Sequence, residues 1–100
     1  GEGLSGGQRQ WIAIARALVG NPPVVLFDEP SSAMDNQTEN ALLDRLEEEL
    51  AGRTFIVITH RTPFLRLVRR VIIVDGGKII ADGPRDAILQ KLNRPKVAAI

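Results

Sequence analysis

The hundred residues contain no cysteine and a single histidine, His60. Disulfides and thiolate metal centres are thereby excluded, and a metal could be held only through carboxylates, hydroxyls, water or a ligand. No apolar run reaches the about eighteen residues that a membrane span needs; the runs 24–27, 55–58 and 71–74 are each strand-length. An excess of either charge is lacking as well. Thirteen Lys and Arg against twelve Asp and Glu leave a formal net charge of +1, so no broad field attracts nucleic acid or acidic lipid. A secretory signal pattern is absent. The chain opens without methionine, on Gly1 inside a glycine-rich run, as a segment of a longer protein is expected to open. Its length allows one small domain with a modest core.

What is present is a regular alternation of helical and strand patterns. Ser5 followed three residues later by Gln8 is a capping-box pattern, in which each side chain satisfies the other residue's backbone N–H, so a helix starts there. Trp11, Ile14, Ala15 and Leu18 recur at helical spacing until Gly20-Asn21-Pro22-Pro23 stops them. Residues 24–28 read as a fully buried strand. A second helix is expected over about 36–51, with Asp35 as its cap, Gly52 as its stop and Leu42, Leu43, Leu46 and Leu50 toward the core. The next buried strand is 54–59, and Thr62-Pro63 opens a short helix. Residues 71–75 and 78–81 form a hairpin across Gly76-Gly77, ended by Asp82-Gly83-Pro84 before a last helix to about Leu92. The order αβαβαββα argues for an α/β fold, a parallel sheet flanked by helices and carrying an antiparallel hairpin at its end.

Three site chemistries compete at the start of the chain. Gly1-Glu2-Gly3-Leu4-Ser5-Gly6 matches the dinucleotide pattern G-x-G-x-x-G, with Asp28 placed as a ribose-binding acid. Gly3-Leu4-Ser5-Gly6-Gly7 matches the G-x-S-x-G elbow, with an Asp and His60 following in the order of a hydrolase triad. Both patterns require a strand before the loop, and neither gives a reason for Glu29-Pro30. In the third reading Ser5, Gly6 and Gly7 form an exposed helix start, whose N–H groups, hydroxyl and positive dipole suit a phosphate oxygen. Asp28 and Glu29 then leave a buried strand at its carboxyl end, where open parallel sheets bind ligands, and alternation along the strand turns their side chains opposite ways.

Leu4-Ser5-Gly6-Gly7-Gln8-Arg9-Gln10 together with Val24-Val25-Leu26-Phe27-Asp28-Glu29 resembles the signature motif and Walker B strand of ATP-binding cassette (ABC) ATPases. The resemblance covers nearly the whole chain: Ser31-Ser32-Ala33-Met34-Asp35 is similar to the family's D-loop, and His60 to its switch histidine. Residues 65–86 resemble the ATPase portion of type I secretion and peptide-exporting transporters. Trp11 stands where the family usually carries a basic residue.

The resemblance implies the C-terminal part of a P-loop NTPase domain, spanning residues 1–100, with ATP and Mg²⁺ as cofactors. It implies that Ser5, Gly6, Gly7, Gln8 and Asp35 serve nucleotide binding and that Asp28 serves Mg²⁺ through water. Glu29 would polarise the attacking water, and His60 would touch the γ-phosphate. Expected partners are a second nucleotide-binding domain and a transmembrane domain of the same or another chain, at the cytoplasmic face of a membrane. No nucleic acid is expected. A Walker A loop is missing, since Gly77-Lys78 is followed by Ile79 and lacks the earlier glycine. The hundred residues alone are therefore expected neither to hydrolyse ATP nor to bind it tightly. A soluble cassette ATPase acting on nucleic acid or ribosomes stays open beside export, and a dinucleotide-dependent oxidoreductase behind both.

Glu47, Glu48 and Glu49 read as a solvated helix face, and Arg66, Arg69 and Arg70 as solvating a short helix.

Overall fold

A computed structural model describes residues 5–92, which fall into two compact units that divide between Leu67 and Val68. Elements follow the order α1 (Gly6–Leu18), β1 (Val24–Asp28), α2 (Asn36–Glu49), β2 (Thr54–Ile58), a 3₁₀ turn (Thr62–Leu67), β3 (Arg70–Asp75), β4 (Lys78–Pro84) and α3 (Arg85–Leu92).

Both expected caps form. Gln8 N–H donates to Ser5 Oγ at 3.0 Å while Ser5 N–H donates to Gln8 Oε1 at 2.9 Å, closing the capping box of α1. Asp35 caps α2 by accepting from Thr38 N–H at 2.7 Å, and hydrogen bonds from Thr38 hold its carboxyl below the usual range. Helix α1 stops at Val19, where Gly20 takes a left-handed φ of 85°.

In the first unit β1 and β2 pair in parallel, Val24 opposite Thr54 and Asp28 opposite Ile58. Ile14 of α1, Leu42, Leu43, Leu46 and Leu50 around α2, and Phe64 of the 3₁₀ turn close over Val25 and Phe27. Phe27 meets Phe55 edge to face at 5.7 Å. The expectation of fully buried strands is corrected here. Only alternate residues of β1 are covered, and Val24, Leu26, Ile56 and Ile58 are exposed, because among the described residues the helices pack against one face of this sheet.

The segment opened by Thr62-Pro63 is a 3₁₀ turn rather than an α-helix, and Phe64, with no exposed surface, anchors it.

The second unit is a hairpin followed by a helix. Gly76 and Gly77 take φ of 56° and 77°, the positive pair that a two-residue turn between twisted strands requires. A bulge falls between Ile73 and Val74. Strand β4 runs past the expected end to Pro84, which stands opposite Arg70 at the last rung, where a proline N–H is not needed. Arg70 is therefore a strand residue, and its guanidinium grips Asp82 across the ladder through Nε at 2.8 Å and Nη2 at 2.7 Å. Ile88 of α3 is buried next to Gly83. None of the helices among the described residues is long and apolar enough to cross a membrane.

Candidate functional site

Parallel pairing decides which residues meet. With Asp28 opposite Ile58, the chain leaves both strands at the same edge, and Glu29 and His60 emerge side by side. Glu29 N–H donates to Ile58 O at 2.7 Å, one rung beyond β1, and its Oε1 lies 3.4 Å from His60 Nε2. The His60 side chain is 96% exposed, so contacts of its own do not hold it there.

Glu29 has a φ of 48°, in the left-handed region that non-glycine residues enter at a cost. Simple alternation along a strand therefore does not describe it. The chain has left the extended conformation at Glu29, and this turn carries its carboxylate toward His60. Asp28 remains the last strand residue and is exposed.

The start of α1 makes a second candidate phosphate site. Ser5 Oγ is engaged as an acceptor by the cap, which leaves its O–H to donate outward. Gly6 and Gly7 head the helix, where N–H groups lack intrahelical acceptors. A Cβ on Gly7 would lie 3.1 Å from Ala33 O, and one on Gly6 3.1 Å from the Ala33 Cβ. These glycines thus admit the 33–34 backbone against the helix. Gln10 completes the seam, donating to Ser32 Oγ at 2.8 Å and accepting from Ala33 N–H at 2.9 Å. Leu4 of the motif lies outside the described residues.

The structure does not bring all the predicted residues into one place: Glu29 and His60 meet, whereas Ser5 and Gln8 are occupied with each other. It also reveals a group that sequence reasoning passed over. Glu39 on α2 is 2% exposed and accepts from Ser31 Oγ at 2.6 Å, Arg61 Nε at 3.0 Å and Arg61 Nη2 at 2.7 Å. Arg61 holds the Glu39 carboxyl below the usual range against the opposing effect of burial, with help from Ser31. The signal was available, because Glu39 falls three and four residues before Leu42 and Leu43, on the apolar face of α2.

The chain is 45% identical over 93 residues to the leukotoxin translocation ATP-binding protein LktB of Mannheimia haemolytica, covering 93% of this chain and 13% of that protein. The Bibersteinia trehalosi counterpart is 44% identical over the same length. The ABC transporter family model matches residues 1–32. The chain matches a fragment of an ABC transporter ATPase. Solved cassettes share its fold: the dimeric structure of MJ0796, a bacterial ABC transporter cassette, superposes with a TM-score of 0.74 at 38% identity, over 82% of this chain and 36% of that one. A bacterial Atm1-family ABC exporter with ATP bound gives a TM-score of 0.76 at 35% identity, over 96% of this chain and 17% of the exporter. This cassette sequence thus spans about 13% of the length of the curated relatives it matches. The dinucleotide and hydrolase readings of the glycine-rich run give way to the cassette reading.

Proposed function

We propose that residues 1–100 are the stretch of a nucleotide-binding domain from the signature motif to the C-terminal helix, in a transporter whose ATP hydrolysis powers export. Protein, peptide or lipid-like cargo suits the exporters that the chain resembles. The observation that carries the reading is the pairing of Glu29 with His60 at the carboxyl edge of β1 and β2, 3.4 Å apart, in a chain 45% identical to a translocation ATP-binding protein. Glu29 orients and polarises the attacking water, and His60 donates to the γ-phosphate.

Ser5, Gly6 and Gly7 face the nucleotide held by a second copy of the domain, with Gln8 fixing Ser5 by the cap and Asp35 ending the loop between them. Dimeric and ADP-bound relatives support this composite arrangement. By the resemblance, Asp28 would hold Mg²⁺ through water, and the ion would neutralise charge on the phosphates. A transmembrane domain at the cytoplasmic face would receive the work.

In the full-length protein Glu29→Gln is expected to bind ATP with unchanged affinity and to lose turnover by about 10²-fold or more. Steady-state ATPase and nucleotide binding measure the two separately, and near-normal turnover would remove Glu29 from the role.

A further inference from the structure

Three separate pieces of the first unit converge on one carboxylate. Ser31 lies in the turn after β1, Glu39 on the core side of α2 and Arg61 in the segment after β2. Glu39 accepts from Ser31 Oγ at 2.6 Å and from both arms of the Arg61 fork at 3.0 and 2.7 Å, while Arg61 Nη2 also donates to Asn36 Oδ1 at 3.0 Å. The Glu39 side chain keeps 3% of its exposure.

Desolvating a carboxylate offsets most of what its ion pair returns, and an apolar side chain of similar volume often serves stability as well. Stability is therefore a poor account of a glutamate on a leucine face. Directional, charge-assisted bonds supply something a leucine cannot, which is position. Arg61 is the neighbour of the almost fully exposed His60, and Arg61 N–H closes a further bond to Thr59 Oγ1 at 2.9 Å. Ser31 follows Glu29 by two residues, and Glu29 sits at a φ of 48° that its surroundings must enforce. Both loops that carry the edge chemistry are thus tied to the same buried group.

We propose that Glu39 is a positioning residue for phosphoryl transfer, fixing through Ser31 and Arg61 the separation of the loop that bears Glu29 from the loop that bears His60. The inference rests on the roles of Glu29 and His60 given above. Glu39 is 2% exposed and engaged by Ser31 and Arg61, so its loss is expected to change the rate of the chemical step and to leave binding alone. Misplacement of reacting groups by about 1 Å costs on the order of 10²-fold in rate.

The test measures kcat and KM for ATP with Mg²⁺ in the full-length protein, with thermal melting to establish that each variant is folded at the assay temperature. Glu39→Gln is expected to lower kcat by about ten- to hundredfold with KM within about twofold. Arg61→Lys keeps the charge but loses the fork, and is expected to do the same. A role confined to stability predicts lower melting temperatures with kcat of the folded variants unchanged, and that result overturns the proposal. Should Glu39→Gln fail to fold, Ser31→Ala carries the test: it leaves the ion pair, and is expected to lower kcat by about threefold, whereas an unchanged kcat overturns the proposal. Glu29→Gln runs alongside. Normal turnover there removes the site reading itself, whereas a dead Glu29→Gln beside a normal Glu39→Gln removes this inference alone.

Discussion

Each unit contains an arginine that grips a carboxylate with two nitrogens, at 3.0 and 2.7 Å in Arg61–Glu39 and at 2.8 and 2.7 Å in Arg70–Asp82. In both, hydrogen bonding holds the acid below and the arginine above their ordinary ranges. Their surroundings differ. The Glu39 side chain is 3% exposed against 38% for Asp82, and Arg61 is 46% exposed against 69% for Arg70. Glu39 lies beside Leu42, Leu43 and Leu46, whereas the hairpin of the second unit exposes Val74, Ile79 and Ile80. Equal geometry therefore does not mean equal consequence. In water the fork competes with solvation and salt and returns little; inside a core, loss of one partner strands the other.

The largest expected effect tests the cores themselves. Leu43→Ala, at a position with no exposed surface, is expected to cost about 2–5 kcal/mol in urea unfolding. Ile79→Ala, 65% exposed, is expected to stay within about 0.5 kcal/mol. Comparable losses would break the comparison by showing that Ile79 is covered in the intact protein.

Next come the forks. Arg61→Ala leaves the Glu39 carboxylate buried with Ser31 as its remaining side-chain donor, and is expected to lower the urea midpoint clearly. Arg70→Ala leaves Asp82 open to water, and its midpoint is expected to match the parent's. Equal midpoint shifts would mean that burial is not what separates the two pairs.

The smallest effect is in acid. Because the folded protein holds the Glu39 carboxyl below its ordinary value of 4.5, the unfolded chain takes up that proton first as pH falls. The contribution is complete above about pH 5 and is lost as pH drops through the depressed folded value. Midpoints recorded from neutral pH down to about pH 3 are expected to fall less steeply in Glu39→Gln than in the parent. Asp82→Asn is expected to flatten the profile less, and a reversed order would contradict the assignment.

Much of this was legible in advance for reasons that operate within a few residues. The capping box at Ser5 and Gln8, the Asp35 cap and the Gly76-Gly77 turn depend on local hydrogen bonds and local φ, and each formed as read. The leucines of α2 were equally plain, since helical spacing alone sets which residues share a face. Strand burial was misjudged, because an apolar run does not say how many of its faces will be covered. The place of Glu39 on the leucine face was readable from spacing, but its partners Ser31 and Arg61 are 8 and 22 residues away, and only the fold delivers them.

The motifs at Ser5, Asp28, Glu29 and His60 by themselves pointed to the cassette family and to the chemistry proposed for it, because residue type and spacing along the chain carry that information. Parallel register decided that Glu29 and His60 meet. A left-handed turn at Glu29 decided how its carboxylate arrives, and packing of α2 against the strands decided that one buried acid ties both loops. Those outcomes depend on contacts between residues far apart in the chain, and no local preference encodes them.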